Sequence, residues 1–552
     1  MRGFLLSAVA VCLMCALGGA IPVRAGEDAA PVANPPAGKL RGVREDGMSV
    51  FRAIPYALPP TGARRWRPPV AMPRWDGVRA AQQAGVACMQ PPMTPGIYDR
   101  GQMRMSEDCL TLDVTAPPNA RKAPVMVWIH GGTLIWGTGH SAIYAGREFA
   151  RRGIVLVSIN YRLGVFGYLA HPDLSKESAD NVSGNYGLLD QIAALHWVRE
   201  NIAAFGGDPR KVTIFGESAG ALSTEYLLAS PPARGLFDKA IVQSGYLFTM
   251  PELRTARYEE QSAEAIGADV ARKIGANGIA AMRAIDAESL LRKVSTTGYL
   301  PYGTIDGKIL PRQLVDTFDR GEQARVPLIA GYNSGEVRTL RFLLAPLPIS
   351  AEAYVDDIRR RYGDLADSYL KFYPAREADE TRLAAARDVV FGWAAERLVR
   401  KQAAVGQPSY LYYFDHSTPS QIAANMAAFH ASEVPFVFGT LRSTPPEWPA
   451  IPDTAGERDI SAAMLDYWSS FARSGRPVAA RGPAWESFAP GHAYMHFAGV
   501  PNLLRRLMPG MYELHEQVMC RRKASGAQTW NWRAGSIAPV LPKPSAPCAP
   551  EP

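Results

Sequence analysis

A chain of 552 residues, 47% of them hydrophobic, can bury a large core, and its glycines and prolines fall in short clusters that exclude a low-complexity architecture. The 60 Lys and Arg outnumber the 52 Asp and Glu, for a net charge of +8. That excess includes no concentrated basic run or nucleic-acid motif, which argues against a nucleic-acid partner, and no internal repeat is present.

The chain opens like an export signal: Arg2, an apolar run from Phe4 to about Ala20, then Val23-Arg24-Ala25 with small residues at a cleavage site. Residues 1–25 are therefore expected to be removed, leaving a secreted or periplasmic product that begins near Gly26. The run is short for a membrane span, and no later segment is long and apolar enough, so the mature chain is not expected to insert stably in a bilayer. Export implies an oxidising compartment, which changes the reading of the six cysteines. Cys12 and Cys15 leave with the signal. Cys88 and Cys109 bracket a loop containing Pro91, Pro92, Gly96 and Gly101, and closing it would stabilise the fold mainly by restricting the unfolded chain. Cys520 and Cys548 are the second candidate pair.

Short apolar runs alternate with helical stretches, predicting an α/β fold with a mostly parallel central sheet flanked by helices. The predicted strands are Val125–Ile129, Ile154–Ile159, Val212–Phe215, Ala240–Gln243, Leu328–Ala330 and Tyr410–Phe414, apolar enough to be buried on both faces. Between the second and third, Leu188, Ile192, Leu195, Val198, Ile202 and Phe205 recur at helical spacing, predicting an amphipathic helix that Gly206-Gly207-Asp208-Pro209 ends. Residues from about 252 to 400 are richer in helix formers and are expected to cover the sheet and shape a cleft. One domain over residues 26–537 and a proline-rich extended or disordered tail over 538–552 complete the layout.

The chemistry centres on Gly216-Glu217-Ser218-Ala219-Gly220, between the strand Val212–Phe215 and a helix-compatible run from Ala219 to Ala229. A strand that turns sharply into a helix needs small residues beside its apex, so this pattern predicts an exposed serine nucleophile at Ser218. The helix N-terminus favours negative charge there. An attacked carbonyl needs donors for its developing oxyanion, and the N–H groups of Ala219 and of Gly132 and Thr133, in His130-Gly131-Gly132-Thr133 after the first strand, are the expected set. Serine also needs a base, usually a histidine held by a carboxylate, in the chain order serine, acid, histidine. Glu336 follows the strand Leu328–Ala330 directly and is the candidate acid. Among the later histidines, His416 and His430 both qualify as the base, and spacing does not separate them.

Taken together, Ile54-Pro55-Tyr56-Ala57, Ser106-Glu107-Asp108-Cys109-Leu110, Asn160-Tyr161-Arg162-Leu163-Gly164 and Asn185-Tyr186-Gly187-Leu188-Leu189-Asp190-Gln191 make the chain resemble the type-B carboxylesterase/cholinesterase family. The likeness continues through Phe205-Gly206-Gly207-Asp208-Pro209 into the serine motif and spans nearly all of the mature chain. It implies the α/β-hydrolase fold and a triad of Ser218, Glu336 and His430, because Phe429-His430-Ala431-Ser432-Glu433 before Phe436-Val437-Phe438-Gly439 resembles the family's histidine segment. It implies further that Cys88 and Cys109 are disulfide-bonded and that Glu217 and Ser244 support the triad from behind. Two departures stand out. Thr133 occupies an oxyanion position that is usually glycine or alanine, which should crowd the acyl pocket or add a hydroxyl donor. The Cys88–Cys109 loop has no tryptophan, which makes a choline ester a poor candidate substrate.

The expected activity is hydrolysis of a small-molecule carboxylic ester through an acyl-enzyme, without metal or organic cofactor. Alternatives are a lipase, an esterase for a bulky anionic (polycarboxylate) ester, prompted by the net charge and by Arg338 and Arg341, and a non-catalytic adhesion or binding member of the family.

Overall fold

All six predicted strands form side by side in the computed structural model, which describes residues 30–93, 95–99, 101, 103–530, 533–544 and 548. The expected signal segment lies outside the described residues. The main sheet has 11 strands: β1 (Val43–Glu45), β2 (Met48–Pro55), β3 (Thr111–Ala116), β4 (Ala123–Ile129), β5 (Val155–Ile159), β6 (Gly207–Glu217), β7 (Lys239–Gln243), β8 (Leu328–Asn333), β9 (Ser409–Phe414), β10 (Ala493–Ala498) and β11 (Val500–Arg505). Their spatial order is β11-β10-β9-β8-β7-β6-β4-β5-β3-β2-β1. Strands from β10 to β5 run parallel, and both edges are finished by antiparallel pairs.

Side chains alternate across the sheet, so each inner strand feeds two cores. On one face Val125, Val127 and Ile129 join Val212 and Ile214 in packing against helices α1 (Tyr186–Asn201), α2 (Ala219–Ala229) and α3 (Trp393–Ala404). On the other, Met126, Trp128, Phe215, Ile241 and Ile329 meet Met464, Tyr467 and Trp468 of α4 (Ala455–Ser474). Burial on both faces explains why these strands read as unbroken apolar runs.

Helix α1 differs from the expected amphipathic element. It is enclosed on most sides, only His196, Arg199 and Glu200 are exposed, and its polar residues Asp190, Gln191 and Asn201 are buried. Each has a partner: Asp190 accepts from the Arg162 guanidinium at 2.7 Å twice, the Gln191 amide donates to Ser223 Oγ at 3.0 Å, and Asn201 accepts from Ala37 N–H at 3.0 Å. Losing one member of the buried Arg162–Asp190 pair would strand a charge, at a cost of about 3–5 kcal/mol. The chain leaves α1 through a 3-10 turn, Ile202–Phe205, capped by left-handed Gly206, and enters β6 at Gly207, earlier than its apolar stretch suggests.

Cys88 is bonded to Cys109, and Cys520 to Cys548. Within residues 538–552, Ala538 is buried and Leu541 N–H donates to Arg361 O at 2.7 Å. Among the described residues no helix is long and apolar enough to cross a membrane.

Candidate active site

Four neighbouring parallel strands, β4, β6, β7 and β8, end on the same side of the sheet, and each delivers one part of the site. Strand β6 runs to Glu217 and α2 starts at Ala219, leaving Ser218 alone at the apex with φ 56° and ψ −123°. That backbone state is strained for a serine and persists because its surroundings enforce it. Gln243 O, at the end of β7, accepts Ser218 N–H at 3.0 Å. Strand and helix cross so closely that a Cβ on Gly220 would lie 2.0 Å from Ile129 O.

After β4 the chain passes through three successive left-handed residues, Gly132 (φ 109°), Thr133 (φ 54°) and Leu134 (φ 59°). A Cβ on Gly132 would sit 2.2 Å from Trp136 O, while Gly132 O accepts from the N–H groups of Ile135 and Trp136 at 2.9 and 2.8 Å. Among the described residues, none accepts from the N–H of Gly132 or Thr133. The N–H of Ala219 is one of the unpaired donors of the first turn of α2. Thr133 is exposed on the cleft wall.

Glu336 follows β8 in a short 3-10 turn and is fully buried. One of its oxygens accepts from Ser244 Oγ at 2.6 Å and Asn333 N–H at 2.8 Å. The other meets His430 Nδ1 at 2.5 Å. His430 lies between Phe429, whose carbonyl accepts from Asn333 Nδ2 at 2.9 Å, and Ala431, a left-handed residue with φ 69°. Its Nε2 is 3.1 Å from Glu217 Oε1, and its ring lies 5.3 Å from that of Phe391. Burial disfavours a charged imidazole, but the carboxylates of Glu217, Glu336 and Glu433 outweigh it and raise the His430 pKa to about 9.

Ser218 and His430 share one cleft of about 700 Å³ with Gly131, Gly132, Thr133 and Glu217. The rest of its wall is mainly apolar, including Trp136, Phe248, Phe342, Phe391 and Trp448. His416 stands apart from it, with Nε2 at 2.7 Å from Glu457. Arg338 and Arg341 also miss the cleft wall and are occupied by Glu380 and Asp379.

Two features escaped the sequence reading. Glu433 is buried beneath the site, accepting from Gln243 Nε2 at 3.0 Å and Asn333 Nδ2 at 2.6 Å, and burial pushes its carboxyl pKa up. Its place at the end of the histidine segment was a signal, but it named no partner. Tyr98, inside the Cys88–Cys109 loop, reaches the backbone of His430 at 2.9 Å, and no spacing pointed to it.

Residues 29–503 match the model of the carboxylesterase family. Fumonisin B1 esterase of Sphingopyxis macrogoltabida is 37% identical over 488 residues, covering 85% of this chain and 87% of the relative. Para-nitrobenzyl esterase of Bacillus subtilis is 34% identical, covering 80% and 89%. Among solved structures, a PNB esterase superposes with a TM-score of 0.75 at 31% identity, over 89% of this chain and 99% of that one. A carboxylesterase of Geobacillus stearothermophilus gives 0.73 at 33%, over 90% and 99%.

Proposed function

Because the chain belongs to the carboxylesterase family and is a carboxylic ester hydrolase, we propose that Ser218 is its nucleophile, His430 its base and acid, and Glu336 the carboxylate that orients the imidazole. The N–H groups of Gly132, Thr133 and Ala219 are the oxyanion donors. The observation that carries this reading is the 2.5 Å contact of Glu336 with His430 Nδ1, made in the cleft that also holds the strained Ser218.

In the first half-reaction Ser218 Oγ adds to the ester carbonyl carbon while its proton passes to His430 Nε2. The carbonyl oxygen takes up the negative charge among the three N–H groups, where losing one donor typically costs about 10²–10³ in turnover. Collapse expels the alcohol, which takes the proton from Nε2 and leaves an acyl-serine. Water then adds to the acyl carbon, giving its proton to His430. Collapse of that intermediate returns the proton to Ser218 and releases the acid. Glu336 keeps Nδ1 protonated and stabilises the imidazolium throughout, and Ser244 holds the carboxylate in place.

The apolar wall favours an ester whose larger part is uncharged and hydrophobic. Arg338 and Arg341, which together with the net charge prompt the anionic-ester alternative, are paired with acidic neighbours outside the cleft. One relative is named for fumonisin B1, and that ester belongs in the substrate panel beside neutral aryl esters. Export with cleavage before Gly26 is part of the proposal and is supported by two disulfides, which persist in oxidising compartments. The mass of the exported protein checks it: a chain still carrying residues 1–25 contradicts cleavage.

The deciding experiment is Ser218→Ala, assayed on a short-chain aryl ester and labelled with an organophosphate. The variant should lose both turnover and labelling. Retained turnover rejects the assignment, and a native protein that neither turns over nor labels points to a binding member of the family.

A further inference from the structure

Resting on the triad proposed above, we infer that Tyr98 is a positioning residue for His430, through which the disulfide-closed loop takes part in catalysis. Its hydroxyl donates to the His430 carbonyl at 2.9 Å and lies 2.7 Å from Thr339 Oγ1. A carbonyl can only accept and a phenol has one proton. The Tyr98 proton therefore goes to His430, and Thr339 donates to the phenol oxygen. Burial holds the Tyr98 phenol well above its usual pKa, which keeps that proton in place.

The bonded carbonyl belongs to the peptide that leads into Ala431, whose φ of 69° is unfavourable for any residue but glycine. Release of that peptide would let the backbone relax and swing the imidazole off Glu336. The tyrosine ring supports the same segment by a second route. It packs edge-on against Trp448 at 6.2 Å, and Trp448 packs against Phe429, the neighbour of His430, at 4.8 Å. Both contacts originate in the loop closed by Cys88 and Cys109.

The test uses the full-length mature enzyme and p-nitrophenyl acetate. Tyr98→Phe should lower kcat by roughly tenfold, the equivalent of one hydrogen bond, with KM changed less than about twofold. It should also move the acidic limb of the pH–rate profile to lower pH, because an imidazole held less firmly against Glu217 and Glu336 gains less from their charge. Thr339→Val, which leaves the ring untouched, should shift both readouts in the same direction by less, and Thr339→Ser should recover what Thr339→Val loses. This variant carries the test should Tyr98→Phe fail to fold. Unchanged kcat in a folded variant overturns the inference, as does a loss confined to KM with the pH profile unmoved, which would make Tyr98 a substrate contact. Ser218→Ala separates the two levels. If it is inactive while Tyr98→Phe is normal, only the role of Tyr98 falls. If it remains active, the proposed triad falls first.

Discussion

Among the described histidines that hold a carboxylate at close range, two make an instructive contrast, His430 with Glu336 at 2.5 Å and His416 with Glu457 at 2.7 Å. The second pair is a structural link: His416 lies between the rings of Phe414 and Phe436 and ties the end of β9 to the first turn of α4, where Glu457 N–H bonds the Thr454 side chain. What sets the first apart is everything around the pair. His430 faces a cleft with a strained serine, a loop of unpaired N–H groups and a second carboxylate near its other nitrogen. A histidine–carboxylate contact is thus common hardware, and reactivity comes from what the free edge of the ring is given to work on.

The largest effect that tests this contrast is a pair of substitutions. His430→Ala should reduce kcat/KM by about 10⁴- to 10⁶-fold. His416→Ala should leave kcat/KM within about threefold and cost about 1.5–3 kcal/mol of stability for its lost charge-assisted hydrogen bond. Comparable activity losses in the two variants would erase the distinction.

A smaller effect sharpens it by pH. In the proposed mechanism the neutral imidazole is the working base, so with a His430 pKa of about 9, kcat/KM should climb as pH rises toward that value. Glu217→Gln removes a negative charge 3.1 Å from Nε2, which lowers the pKa and moves the acidic limb of the profile to lower pH. A limb that stays put, or moves upward, shows that Glu217 does not set the basicity of the ring.

The sequence made the inner sheet legible because strands covered on both faces announce themselves as apolar runs. It hid the edges, since a strand such as Val500–Arg505 has one buried residue among mostly exposed ones and resembles a loop. Helix α1 was found but misread, because Asp190, Gln191 and Asn201 are polar and a linear pattern assigns such residues to water, whereas here each meets a buried partner. The serine turn and the glycine loop were readable for a steric reason, as their glycines lie where a Cβ would strike backbone. The proposed acid, Glu336, was picked out by its place after a strand. The histidine was not, because His416 and His430 differ only in what the fold brings to them, and family likeness was needed to choose. Tyr98 had no signal at all, being 332 residues away from the carbonyl it bonds.

Gln243 is bonded through three of its groups. Its carbonyl takes the Ser218 N–H, its amide nitrogen donates to Glu433 at 3.0 Å, and its amide oxygen accepts from the Trp468 indole at 3.1 Å. One residue, through its backbone and its side chain, thereby links the serine turn to a helix on the opposite face of the sheet. A substitution in α4 that displaces the Trp468 indole is therefore expected to reach the serine turn through Gln243, which the turnover of such a variant would reveal.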